Sequence, residues 1–126
     1  PIGTLSGGQR QALTLLMATW LRPKLLLLDE HTAALDPKSA NQVAVLTKEI
    51  VTREKLTALM VTHSMQQAVQ LPDRIIMMHH GRIMEDYTGE RRARVRTDDL
   101  LHAFDRVRRR DLFDATVAET VLPQYA

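Results

Sequence analysis

The stretch Leu25-Leu26-Leu27-Leu28-Asp29-Glu30 decides the fold. Apolar residues in an unbroken run suit a strand covered on both faces, as in a parallel sheet. Arg22-Pro23-Lys24 precedes the run and limits any helix there, because a residue before proline is pushed out of the helical region. The run ends on two carboxylates, and open parallel sheets bind ligands outside the carboxyl ends of their strands. A carboxylate at Asp29 is a hard oxygen donor of the kind Mg²⁺ takes. Glu30 beside it can polarise an attacking water as a general base. An Asp-Glu pair can equally cap the segment that follows, so the pair alone leaves both readings open.

Upstream stands Leu5-Ser6-Gly7-Gly8-Gln9. Ser6 is a good helix N-cap, and the helix it starts is expected to run to about residue 21, with Leu13, Leu16, Met17 and Trp20 as its buried stripe. The backbone amides of Ser6, Gly7 and Gly8 at that helix start have almost no side chain over them, which favours an anion such as phosphate. The plain alternative is a capped turn, which such residues form often.

Downstream, Asp36-Pro37 reads as a cap followed by proline at the first helical position, with Val43, Leu46 and Ile50 marking the inner face of that helix. Residues 56–62 form a second apolar strand, ending beside His63, and residues 64–71 a short helix stopped by Pro72. Residues 74–79 and 82–87 read as an antiparallel hairpin turned at His80-Gly81. Gly89 breaks the chain again. Thr97-Asp98-Asp99 then caps a last helix to about residue 109, with Leu100, Leu101, Phe104 and Val107 inward. The tail, 111–126, is expected to hold one more helical turn before Pro123. Strands separated by helices give an α/β layer architecture.

Composition narrows the function classes. The 126 residues are 44% hydrophobic and 25% charged, enough apolar material for a packed core. Cysteine is absent, which excludes a disulfide framework or a thiolate metal site. The longest apolar run is far too short to span a bilayer. The basic residues cluster at Arg91, Arg92, Arg94, Arg96 and again at Arg106, Arg108, Arg109, Arg110, interrupted by Asp98, Asp99, Asp105 and Asp111. Neither interleaved aromatics nor a recognition motif accompanies them, so a solvated or partner-facing surface is expected and nucleic acid is not. His79 and His80 lie beside a hairpin turn and are read as structural, with no convergent metal ligands visible in the sequence.

Taken in order, the motifs resemble the ATP-binding-cassette (ABC) family. Leu5-Ser6-Gly7-Gly8-Gln9 resembles its signature motif, Leu25 to Glu30 its Walker B strand, Ala34-Leu35-Asp36-Pro37 its D-loop, and Val61-Thr62-His63-Ser64 its switch-histidine loop. The resemblance runs from the signature to about Gly89. It implies the C-terminal portion of a P-loop NTPase: an ABC-type nucleotide-binding domain with a mostly parallel sheet, flanking helices and a C-terminal hairpin, spanning residues 1–126 as one partial domain. It implies ATP and Mg²⁺ as ligands, Asp29 on the metal, and Glu30 and His63 as catalytic residues. Ser6, Gly7, Gly8 and Gln9 would face a partner's nucleotide, and Asp36 would cross the dimer interface. A second nucleotide-binding domain and a transmembrane permease would be the partners, with the protein cytoplasmic and peripheral on the inner face of the membrane.

Two departures qualify the resemblance. His31 stands where many members carry proline, and the run Asp-Glu-His-Thr-Ala-Ala-Leu-Asp resembles a subset found with bacterial importers of small solutes. No Gly-x-x-x-x-Gly-Lys-Ser/Thr occurs in the sequence; Gly3 to Gly8 has the spacing but Gln9 follows. The Walker A half is therefore expected to be missing, and this chain alone to be inactive. The competing readings are a soluble cassette ATPase acting on DNA or ribosomes, and a non-catalytic interaction fragment. Exposed sheet edge and apolar surface are expected to favour self-association.

Overall fold

A computed structural model of the chain describes residues 2–121, with side chains over 3–113. A 3-10 turn, Ile2–Thr4, leads into helix α1 (Gly7–Thr19), strand β1 (Leu25–Asp29), helix α2 (Pro37–Arg53), strand β2 (Thr57–Val61) and helix α3 (Met65–Gln70). Strands β3 (Ile75–His79) and β4 (Arg82–Tyr87), helix α4 (Gly89–Arg94) and helix α5 (Thr97–Val121) follow. The chain divides into two compact units, Pro1–Leu71 and Pro72–Ala126.

In the first unit β1 and β2 pair in parallel, from Leu25 beside Thr57 to Asp29 beside Val61. The crossover between them is α2, as parallel pairing requires. Asp36 caps α2 by accepting from the Ser39 amide at 3.0 Å, and Pro37 follows at the first turn. Leu15 of α1, Leu26 of β1 and Ile50 of α2 form the core, with Leu28, Leu46, Val51 and Leu56 packed on it.

Two burial expectations are corrected here. The β1 run was expected to be covered on both faces, yet Leu25 and Leu27 are exposed while Leu26 is buried. Their neighbours on the same face of β2, Leu59 and Val61, are exposed too. Only one face of this two-stranded sheet is packed by the described residues, so alternation appears where the sequence shows none. In α1 the expected stripe Leu16, Met17 and Trp20 is also exposed, and Leu15 and Thr19 are buried instead. The helix is apolar around much of its circumference, and contact with α2 and Leu26 selects which side is used.

In the second unit β3 and β4 form the expected hairpin, with a register shift between Met77 and Met78. The turn residues His80 and Gly81 both have positive φ, 46° and 72°, which matches the strand twist of a tight two-residue hairpin. Among the described residues of this unit, Ile75, Tyr87, Val95, Leu100, Ala103 and Val107 are the buried apolar ones. Leu101 and Phe104, expected inward, are exposed, because the buried side of α5 runs through Leu100, Ala103 and Val107.

Helix α4 was not expected; it starts at Gly89, φ 52°, and is tied back by the Arg92 guanidinium donating to the Pro72 carbonyl at 3.0 Å. Helix α5 also continues well past residue 109, to Val121. The tail expected to hold one more turn before Pro123 is helical through Val121 as a continuation of α5, and residues 122–126 lie outside the described residues. Several arginines here serve local pairs: Arg74 bonds Asp86 through two nitrogens, at 2.9 and 2.6 Å, and Arg91 reaches Glu85 at 2.7 Å while lying over the Tyr87 ring.

Candidate functional site

Parallel pairing places the ends of β1 and β2 side by side, and with them the residues singled out for chemistry. Asp29 closes β1 beside Val61 and is exposed. Glu30 has a positive φ of 46°, which turns the chain sharply while its amide still donates to the Val61 carbonyl at 2.9 Å. A non-glycine residue in the left-handed region is a strained feature of the kind that clusters at functional sites. His63, from the loop after β2, meets it: Nε2 lies 2.6 Å from Glu30 Oε1. The imidazole is mostly solvent-facing and the carboxylate about one-third exposed, so the pair is open to a ligand. The structure thus brings Glu30 and His63 into contact and sets Asp29 next to them at the strand end.

Gln67, which the sequence did not single out, holds the two loops together. The Gln67 amide oxygen accepts from Thr32 Oγ1 at 3.1 Å, in the turn after β1, and from Thr62 Oγ1 at 3.4 Å, in the loop after β2. Thr62 Oγ1 in turn accepts from the Ser64 amide at 3.0 Å, and Ser64 Oγ caps α3. One side-chain oxygen therefore spans the loops carrying Glu30 and His63. Thr32 is buried, so Gln67→Leu would leave its hydroxyl without an acceptor and is expected to cost about 1–3 kcal/mol. Gln67→Glu keeps an acceptor oxygen and is expected to recover most of that loss; urea denaturation midpoints of the two variants check it.

His31 sits in the same turn. Thr47 donates its hydroxyl proton to the Val43 carbonyl at 2.7 Å, so the 3.0 Å contact from His31 must place the proton on His31 Nε2. The ring anchors the turn to α2, and burial lowers its pKa below the ordinary 6.5. That contact gives a local structural reason for histidine at this position.

The start of α1 forms a second, separate cluster. Ser6 Oγ accepts from the Gln9 amide at 3.2 Å, and Gln9 Oε1 accepts from the Ser6 amide at 2.9 Å, a reciprocal capping box. The box leaves the Gly7 and Gly8 amides of the first turn unengaged by it. Ser6 and Gln9 are exposed and the two glycines half-buried, so the helix mouth is not walled off. A cleft of about 260 Å³ opens there between α1 and α2, lined by Ser6, Gly8, Gln9, Ser39 and Gln42 among others.

The glycines also have a packing role that the anion reading did not include. A Cβ on Gly8 would lie 3.0 Å from Ser39 Cβ, and one on Gly7 3.2 Å from Leu35 Cδ2. They let α1 approach the start of α2, where Asp36 sits. Ser39, through its hydroxyl and then its amide, holds the Asp36 carboxyl below its ordinary pKa, so Asp36 stays ionised there at neutral pH. Ser6, Gly7, Gly8, Gln9 and Asp36 thus share one end of the helix pair.

His79 and His80, read as structural from the sequence, do converge with a third side chain, Asp111. They lie in the other unit, away in the chain from every motif above.

Comparisons with known proteins bear on the family and the fold. The model of the ABC transporter family matches residues 1–33. A tyrosine transport ATP-binding protein of Clostridioides difficile (strain R20291) is 48% identical over 101 residues, 80% of this chain and 40% of that protein. The phosphate import ATP-binding protein PstB of Aeropyrum pernix is 44% identical over 81 residues, covering 64% of this chain and 32% of its own length. The aliphatic sulfonates import ATP-binding protein SsuB 1 of Burkholderia cenocepacia (strain HI2424) is 45% identical over 82 residues, 65% of this chain and 26% of the relative. Among solved structures, a nucleotide-free ATP-binding cassette from an ABC transporter superposes with a TM-score of 0.59 at 24% identity, covering 72% of this chain and 36% of that one.

The fold is that of part of an ATP-binding cassette, an α/β unit with its acid pair at the end of a parallel strand. The chain belongs to the family of ABC transporter ATP-binding proteins. It spans 40% or less of the length of the relatives named above.

Proposed function

We propose that the chain supplies the hydrolytic edge and the signature helix of the ATPase subunit of a bacterial importer for a small solute. The observation that carries this reading is the 2.6 Å contact between His63 Nε2 and Glu30 Oε1 at the ends of adjacent parallel strands. The named relatives serve tyrosine, phosphate and aliphatic sulfonate transport, which supports a small-solute importer as the class.

Each residue has a part in that reaction. Glu30 accepts a hydrogen bond from water and draws off its proton as the oxygen attacks the γ-phosphorus of ATP, with ADP as the leaving group. His63, bonded to Glu30, holds the carboxylate in place and presents its ring toward the γ-phosphate. Asp29, an exposed carboxylate at the strand end, fits Mg²⁺ by its hard oxygen donors; the ion would neutralise phosphate charge there. The Gly7 and Gly8 amides, left over by the capping box, and the Ser6 hydroxyl suit a γ-phosphate held by a second cassette. Asp36, ionised and close to that helix mouth, would couple the two sites across the dimer.

ATP-driven closure of two cassettes would then act on a transmembrane permease, with the subunit cytoplasmic and peripheral on the inner face of the membrane. No helix among the described residues is long and apolar enough to cross a membrane. The sheet face of Leu25, Leu27, Leu59 and Val61, left bare by the described residues, suits a further layer packed over it in a longer cassette.

The 126-residue chain carries no Lys-bearing phosphate loop, so alone it is expected to show neither tight Mg·ATP binding nor turnover. Joined to the phosphate-loop half of a relative, it is expected to hydrolyse ATP. Micromolar Mg·ATP binding by the chain alone in calorimetry, or a correctly folded fusion without ATPase activity, contradicts the proposal.

A further inference from the structure

We propose that His79, His80 and Asp111 form a binding site for one divalent transition-metal ion of the Zn²⁺ class, tying the β3–β4 turn to α5. The ligand atoms of the three side chains all lie within 4.8 Å of one another. His79 Nε2 hydrogen-bonds Asp111 Oδ2, and His80 Nε2 lies 3.3 Å from the same oxygen. The two imidazole rings sit with centroids 4.2 Å apart, tilted by 59°.

Backbone geometry explains how neighbours in sequence come to share a ligand position. Successive residues of a strand point to opposite faces. His80 leaves the strand at φ 46°, the first of the two turn positions, and this swings its ring to the side that His79 already faces. Asp111 arrives from α5 eight residues beyond Ala103 and four beyond Val107, both buried. Spacings of four keep side chains on one helix face, so Asp111 continues the packed side of α5 out to the hairpin tip.

The chemistry of the set selects the ion. Two imidazole nitrogens and one carboxylate oxygen suit Zn²⁺, Co²⁺ or Ni²⁺ and not Ca²⁺ or Mg²⁺, which prefer oxygen throughout. Bonds of about 2.0–2.2 Å to a tetrahedral ion separate the ligand atoms by about 3.3 Å. The His80–Asp111 pair already has that separation, and the His79–Asp111 pair reaches it by exchanging a direct hydrogen bond for a shared metal. Three protein ligands leave a fourth position for water. His80 and Asp111 are exposed enough for an ion to enter from solvent, while His79 is the more buried anchor.

The test uses the chain after removal of metal by a chelator. Calorimetric titration with ZnCl₂ is expected to give one ion per chain with saturable binding in the micromolar range. Long-range ¹H–¹⁵N spectra are expected to show ligation shifts at the side chains of His79 and His80. His80→Gly suits the positive φ and removes one ligand; Asp111→Asn removes the charge. Each is expected to weaken Zn²⁺ binding by more than the roughly tenfold minimum that even outer-shell changes produce. Wild-type affinity in either variant, no saturable binding, or shifts at His31, His63 or His102 in place of His79 and His80 overturns the site. The spectra of the unaltered chain decide the matter even where a variant folds poorly.

Discussion

Replacing Glu30 by Gln in a complete subunit, the chain joined to its phosphate-loop half, is expected to reduce ATP turnover by about 10²–10⁴-fold. Gln matches Glu in size and keeps an oxygen that can accept the hydrogen bond from His63, so the 2.6 Å contact has a replacement and the loop should stay in place. What Gln lacks is the basicity to take a proton from the attacking water. Binding should survive, because the groups assigned to the triphosphate and its Mg²⁺ are Asp29, His63, the Ser6 to Gln9 turn and the phosphate loop. The variant is therefore expected to dimerise on ATP and remain closed. Phosphate release measures the first effect, and light scattering with and without ATP the second. Unchanged turnover removes Glu30 from the mechanism; lost dimerisation shows that the carboxylate serves binding as well.

Ile50→Ala is expected to destabilise the first unit by about 2–5 kcal/mol. Ile50 is 1% exposed and is the α2 member of the core with Leu15 and Leu26, so it joins helix to strand at the centre of the unit. Its truncation loses the transfer free energy of the deleted groups and leaves a cavity that the surrounding helices can only partly close. Against a total of about 5–15 kcal/mol for a typical domain, this is a large fraction. Leu27→Ala, on the face that the described residues leave bare at 66% exposure, is expected to shift stability by no more than about 0.5 kcal/mol. Urea titration separates the two: the midpoint should fall for Ile50→Ala and hold for Leu27→Ala. Equal losses in both variants show that the two faces of β1 are packed alike in solution.

Local chemistry was readable wherever one residue type has a short list of uses. Ser6 and Asp36 were legible as helix caps, Pro37 as a first-turn residue and His80-Gly81 as a hairpin turn, and the structure places each in that role. The apolar runs at residues 25–28 and 56–62 mark strands, and the order of the motifs marks the family. Helix α4 escaped notice because Gly-Glu-Arg-Arg-Ala-Arg has no apolar period; contacts of Arg92 with distant backbone define it. Gln67 was equally silent, since the donors to its side-chain oxygen, Thr32 and Thr62, become neighbours only when β1 and β2 pair.

By itself the sequence determined most of the elements, the caps of α1 and α2, the order of the motifs and the family, since these depend on backbone preferences and on motifs a few residues long. Tertiary structure alone decided which side of α1 and of β1 is buried, because both are apolar on more than one side and only the packing of α2 chooses between them. It also decided that Glu30 meets His63, and that His79 and His80 meet Asp111. Those residues are separated by 33, 32 and 31 positions of chain, and no local rule carries a contact across such a gap.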